Sequence, residues 1–140
     1  MMEYNVDGDG VATISWNLTN RPMNVLNQES MADYSEALNK AIDDDSVKGI
    51  IVTSSHREFM VGADLTALGD GSKADIEKFI FVVLELYRRM EKAGKPVVSA
   101  INGHALGGGY EMALASHYRI AADDPKIKIG LPRSEERRVG

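Results

Sequence analysis

Three consecutive glycines, Gly107–Gly109, lie between an apolar run and a helix-forming one, and no other feature narrows the possible folds of this 140-residue chain so far. Ahead of them Lys95–Pro96 opens Val97–Ile101, an apolar run short enough for a buried strand. Behind them Tyr110–Ala115 (YEMALA) reads as helix. A strand that turns through glycines into a helix lets its backbone pass close to a ligand and presents the free amides of a helix start. Those amides suit a developing oxyanion, and Glu111, one turn into the helix, is placed to act on a proton or a water. The same glycines would also serve as a packing turn or a phosphate nest, so the motif alone leaves all three readings open.

A second segment has the same design. Glu58–Leu65 (EFMVGADL) follows another strand candidate, Lys48–Ser54, and leads toward a short helix. Two strand-to-loop transitions, each ending in small residues, can aim two backbone N–H groups at one point.

The rest of the chain reads as β, β, α, β, α, α, β, α, β. Val11–Trp16 (VATISW) alternates as a half-exposed strand does, and Asp7–Gly8–Asp9–Gly10 predicts a hairpin joining it to Glu3–Val6. Asn27 is placed to cap a helix running to about Asp43, with Met31, Tyr34, Leu38 and Ile42 as its buried stripe. Asp43–Asp45 at its C-terminus oppose the macrodipole, so that end is expected to fray. The longest helix is expected from Ser72, with Asp75 in a capping-box position and Ile76, Ile80, Val83, Tyr87 and Met90 on one face beside Phe79. Phe81, Val82 and Leu84 widen its apolar surface, Gly94 and Pro96 end it, and Gly69–Gly71 reads as a joint ahead of it.

Taken together, FMVGADL and AINGHALGGGYE closely resemble the enoyl-CoA hydratase/isomerase (crotonase) superfamily, and Asn20–Asn27 (NRPMNVLN) matches that family's N-terminal signature. The resemblance spans Val11–Pro132, and its wording is most like the hydratase part of multifunctional fatty-acid oxidation α-subunits. It implies an α/β fold, a crotonase-like spiral of ββα units of which this chain supplies the N-terminal half only. It also implies an enzyme, a lyase adding water to a trans-2-enoyl-CoA to give 3-hydroxyacyl-CoA in β-oxidation. The backbone amides of Ala63 and Gly108 would form the oxyanion hole. Glu111 would be the catalytic carboxylate that orients and deprotonates the water. Gly62, Ala63, Asp64, Leu65, Gly107 and Gly108 would lie against the substrate and its CoA, with Asp64 bracing its loop. No metal and no cofactor beyond the substrate's own coenzyme A would be needed; NAD would enter only if a dehydrogenase domain follows. The parent protein would be oligomeric or in a complex with a thiolase subunit. Acyl-chain pockets in the family draw on the long helix, where Phe79, Val83 or Tyr87 would contribute.

One position departs from the pattern. Hydration needs a second carboxylate to protonate the α-carbon, and in the family this glutamate follows a Leu-Pro or Gln-Pro step. Here Leu131–Pro132 is followed by Arg133. Residues 1–132 are therefore expected to be a partial hydratase domain, and 133–140 (RSEERRVG) a non-native tail that a common sequencing-library adapter would encode if read through in this frame. Such a truncated chain would be inactive and would leave apolar surface uncovered. Alternatives are an enoyl-CoA isomerase or another acyl-CoA enzyme of the family, or a non-catalytic acyl-CoA binder in which Arg133 is genuine. Two histidines stay outside the chemistry: His104 is expected to pack, and His117 stands where the family commonly has aspartate, as a solvent-facing exchange.

Composition agrees with this reading. The chain carries 16 basic and 21 acidic residues, and removing the tail's three arginines and two glutamates leaves 13 against 19. That balance argues against a nucleic-acid partner bound through bulk charge. At 44% hydrophobic residues the chain can build a core, and no apolar run approaches the roughly 20 residues of a membrane span. It has no cysteine, which removes disulfides and thiolate chemistry. The start lacks the basic and apolar regions of a secretory signal, so a cytoplasmic location is expected.

Overall fold

The computed structural model describes residues 2–19, 21, 23–63 and 72–131. The short helix expected after Ala63, the Gly69–Gly71 joint, Asp64, Leu65 and the 133–140 tail lie outside the described residues.

The chain opens with a hairpin, β1 (Met2–Val6) antiparallel to β2 (Val11–Trp16). Its turn closes because the Asp7 carboxylate accepts the amides of Asp9 and Val11 at 2.9 and 3.0 Å. The alternation in β2 sends Ala12, Ile14 and Trp16 into the core. Helix α1 (Gln28–Asp43) follows. Asn27 caps it reciprocally: its side chain accepts the Ser30 amide at 2.8 Å, while the Ser30 hydroxyl accepts the Asn27 amide at 2.9 Å. Met31, Tyr34 and Leu38 are buried beneath it, with Ile42 partly so.

The far end of α1 holds better than its acidic sequence predicts. The Lys95 ammonium donates to the carbonyls of Ala41 and Asp44 at 2.8 and 2.7 Å, satisfying orphan acceptors of the last turn. The Asp44 carboxylate instead accepts from the hydroxyl and amide of Ser46, which hold its carboxyl below the usual range.

Strand β3 (Gly49–Ser54) lies parallel to β2. Helix α2 (Lys73–Glu91) is capped by Ser72, whose hydroxyl accepts the Asp75 amide at 3.2 Å. Then come β4 (Val97–Ile101), β5 (Ala105–Leu106), α3 (Gly108–Ala115), β6 (Tyr118–Ala121) and β7 (Ile129–Gly130). The five-stranded sheet runs β1-β2-β3-β4-β6, parallel except for the hairpin, and β5 pairs with β7 in a second small parallel sheet. The parallel pairs need crossovers, and α1 and α2 supply two of them. Among the described residues no helix is long and apolar enough to cross a membrane.

The buried face of α2 differs from the predicted one. Phe79, Leu86, Tyr87 and Met90 are buried, Ile76 and Val83 only partly, and Ile80 is 47% exposed. The helix turns its other apolar residues outward, leaving Phe81 70% and Leu84 58% exposed. His117 is exposed, as expected of a solvent-facing exchange, and it also has a structural role. Its Nδ1 accepts the Val97 amide at 2.9 Å and its Nε2 donates to the Glu91 carbonyl at 3.0 Å, tying the end of α2 to the start of β4.

Asn24 knits the core to the loop after β3. It is fully buried, accepts the Leu18 amide at 3.3 Å, and donates to the Ser54 hydroxyl at 2.7 Å and to the carbonyls of Phe59 and Trp16 at 3.2 and 3.3 Å. Replacing it takes the partner from the buried Leu18 amide and Phe59 carbonyl, while the Trp16 carbonyl keeps the Ser55 amide and the Ser54 hydroxyl keeps the Glu58 carbonyl. Asn24→Ala in the intact protein is expected to lower unfolding stability by about 2–3 kcal/mol, read from urea denaturation. A loss under about 0.5 kcal/mol, the range of ordinary surface substitutions, contradicts this role.

Candidate functional site

The two strand-to-loop segments singled out in the sequence meet at the N-terminus of α3. The first leaves β3 and passes through Phe59–Ala63. Its path is fixed by backbone hydrogen bonds on two sides. The amides of Phe59 and Met60 both donate to the His104 carbonyl at 3.0 Å, and the Leu106 amide donates to the Met60 carbonyl at 3.0 Å. On the other side the Val61 amide donates to Asn24, and the Leu26 amide to the Gly62 carbonyl at 2.8 Å. Leu26 thereby forms a parallel bridge with Ala63, and Met60 forms one with Ala105. Gly62 takes a φ of +116°, a conformation L side chains rarely adopt.

The second segment leaves β4 through Gly103 and His104 into β5, then enters α3. His104 packs, as expected: its Nδ1 accepts the Lys128 amide at 2.9 Å, beside the bond from the Ala105 amide to the Lys128 carbonyl at 3.0 Å. Helix α3 begins two residues earlier than the sequence reading placed it. Gly107, at φ +56°, is its N-cap, Gly108 its first residue, and Glu111 lies in the first turn, donating its amide to the Gly107 carbonyl at 3.0 Å. Gly108 thus sits where helix amides lack intrahelical acceptors.

The loops approach most closely at Gly109. A β-carbon on Gly109 would collide with the Met60 carbonyl oxygen and lie 2.6 Å from the Met60 Cβ. One on Gly107 would come to 3.9 Å from the Gly62 Cα. One on Gly108 would stand 2.7 Å from the Leu26 Cδ1 and 4.0 Å from the Ala63 amide nitrogen. Gly62, Ala63, Gly107 and Gly108 therefore converge on one point, with Glu111 one turn along the helix.

Glu111 is exposed and lines an open groove of about 800 Å³ together with Phe81, Leu84, Tyr87 and Leu114. Phe81, Leu84, Leu114 and Ala115 make much of its wall apolar, and Glu85, Arg88 and Glu91 also line it. Tyr87 crosses from α2, and its hydroxyl donates to the Gly108 carbonyl at 2.8 Å. Burial pushes the Tyr87 hydroxyl pKa well above its ordinary value, and the Glu111 charge adds to the effect. Asn24 and Leu26 hold the first segment, and Tyr87 the second; the sequence reading gave none of them these roles. The signal for Asn24 lay inside NRPMNVLN, whereas the hydroxyl contact of Tyr87 spans 21 residues and leaves no local pattern.

Comparison with known proteins bears on the same residues. The sequence model of a family described as enoyl-CoA hydratase/isomerase matches residues 7–135. The fatty acid oxidation complex subunit alpha of Psychrobacter sp. (strain PRwf-1) is 39% identical over 130 residues, which is 91% of this chain and 18% of that protein. The fold is similar to human mitochondrial delta3-delta2-enoyl-CoA isomerase, with a TM-score of 0.86 and 34% identity over 96% of this chain and 52% of that one. It is also similar to an enoyl-CoA hydratase from Bacillus anthracis, with a TM-score of 0.85 and 26% identity over 99% of this chain and 52% of that one. The chain thus spans less than a fifth of the first relative and about half of each solved chain.

Gly109→Ala provides a test of the close approach with a definite sign. In an ordinary helix the change gains about 1 kcal/mol of propensity; here the clash with the Met60 backbone dominates. The expected result is a net destabilisation of about 1–3 kcal/mol. Thermal denaturation that shows a raised Tm contradicts the packing described.

Proposed function

The chain belongs to the enoyl-CoA hydratase/isomerase family, and from that premise we propose that it is part of an enoyl-CoA hydratase acting in fatty-acid β-oxidation. The observation that carries this reading is the convergence of the Ala63 amide with Gly108 beside Glu111. In the proposed reaction the amides of Ala63 and Gly108 bind the thioester carbonyl oxygen of a trans-2-enoyl-CoA. They stabilise it as it gains enolate charge, where one such donor is worth about 3–4 kcal/mol. Glu111 orients a water and takes its proton as the oxygen adds to the β-carbon. Gly62 and Gly107 would contact the substrate's CoA, and the same role is proposed for Asp64 and Leu65, which lie outside the described residues. Phe81, Leu84 and Leu114 would meet the acyl chain.

The α-carbon must then receive a proton from a second acid. That acid would follow Pro132, where this sequence has Arg133, and we attribute residues 133–140 to a non-native tail that replaces the natural continuation. A chain with Arg133 binds the thioester without completing hydration, which is the non-catalytic alternative. An isomerase is the second reading, favoured by the 34% identity to the human isomerase; the presence of Glu111 supports the hydratase. The only coenzyme in this reaction is the substrate's own. NAD would belong to a dehydrogenase domain in the parent protein. Membership of a complex completes the proposal, supported by the bacterial relative's name as a complex subunit; a thiolase subunit as the partner and a cytoplasmic location are proposed from the motif resemblance alone.

The protein encoded by the intact locus is expected to carry glutamate after Pro132 and to hydrate crotonyl-CoA. Its Glu111→Gln variant should lose about 10²- to 10⁴-fold in kcat with KM little changed. A genomic arginine at 133 together with crotonyl-CoA binding and no turnover supports the binder instead. Preference for a 3-enoyl-CoA over crotonyl-CoA supports the isomerase.

A further inference from the structure

The three-glycine turn poses a problem that its own sequence does not solve. Gly107, Gly108 and Gly109 permit the close approach of the two loops, but glycine also has the widest backbone freedom of any residue. An amide donor stabilises a developing charge only if it is held in place beforehand. Some group outside the turn must therefore fix Gly108.

Two side chains reach it. Leu26 fills the space where a Gly108 β-carbon would stand, and so blocks movement on that side. Tyr87 supplies the only side-chain hydrogen bond to residues 107–109 among the described residues, from its hydroxyl to the Gly108 carbonyl. Its ring is 7% exposed and projects from the 19-residue helix α2, so the donor is itself well anchored. The same ring lines the groove beside Glu111.

We propose that Tyr87 is a positioning residue, whose hydroxyl pins Gly108 so that its amide and the first turn of α3 are held in place before the acyl thioester binds. Tyr87 touches no reacting atom and acts through Gly108. Its high pKa keeps the proton on the hydroxyl, so the bond persists across the working pH range. The assignment rests on the hydratase reading above and deepens it.

The test is Tyr87→Phe in the intact protein, which removes one oxygen and keeps the ring. Crotonyl-CoA hydration is measured alongside the absorption shift of bound cinnamoyl-CoA, a conjugated thioester whose spectrum moves to the red when its carbonyl is polarised. The expected result is a fall in kcat of about tenfold, KM within about twofold, a smaller red shift and an unfolding midpoint close to wild type. A variant that matches the wild type in kcat and red shift overturns the assignment. So does one whose kcat falls only in proportion to its loss of folded protein. A wild-type protein that neither hydrates crotonyl-CoA nor shifts the probe overturns the hydratase reading, and this assignment with it.

Discussion

Where Gly109 runs past Met60, the two backbones are closer than a β-carbon would allow, and the site is built around that contact. A β-carbon at Gly109 would fall within 2.6 Å of the Met60 Cβ, and one at Gly103 within 2.8 Å of the Glu58 Cα. Glycine at such positions raises the entropy lost on folding. The structure offsets this with a dense set of backbone hydrogen bonds: His104 to Phe59 and Met60, Met60 to Leu106, Gly62 to Leu26, and Gly107 to Gly130. Each joins segments distant in sequence, so the turn before α3 is ordered by the sheet and loops around it and not by its own propensity.

The dependence extends into the core. Asn24 ties the ends of β2 and β3 to the loop that carries Gly62, and Leu26 bridges to Ala63 while its side chain stands against Gly108. Asn24 and Leu26 therefore work at the site through their backbone, one buried amide and one apolar side chain. On the opposite side α2 delivers Tyr87 to the same turn and turns Phe81 and Leu84 outward. Tyr118 and Ile120 on β6 are 66% and 65% exposed as well, which adds to the apolar surface left uncovered. It is consistent with a chain that spans about half of the solved structures it resembles.

What the sequence revealed follows the range of the forces involved. Local signals located β2, β4, the hairpin turn, the Asn27 and Ser72 caps and the span of α1, because each depends on residues a few positions apart. The motif resemblance, in turn, placed the chain in its family. The two-residue strands β5 and β7 had no local pattern and exist through each other, through His104 and, for β5, through the bridge to Met60. The exposure of Ile80 was misjudged because α2 rotates to bury Phe79 and Leu86. The acidic end of α1 holds because Lys95 reaches it from beyond α2, a contact no helix-local rule includes. His117 lies on the surface as expected, but its tie between α2 and β4 was not legible because its two partners, Val97 and Glu91, lie 20 and 26 residues away.

In the proposed site two amides from separate loops hold one thioester oxygen. A crystal structure of the intact protein with a bound non-hydratable acyl-CoA thioester tests it most directly. The account predicts the carbonyl oxygen about 2.7–3.1 Å from the amide nitrogens of both Ala63 and Gly108, with the β-carbon facing Glu111. A thioester oxygen bound away from either amide, with the acyl chain outside the groove between α2 and α3, contradicts it.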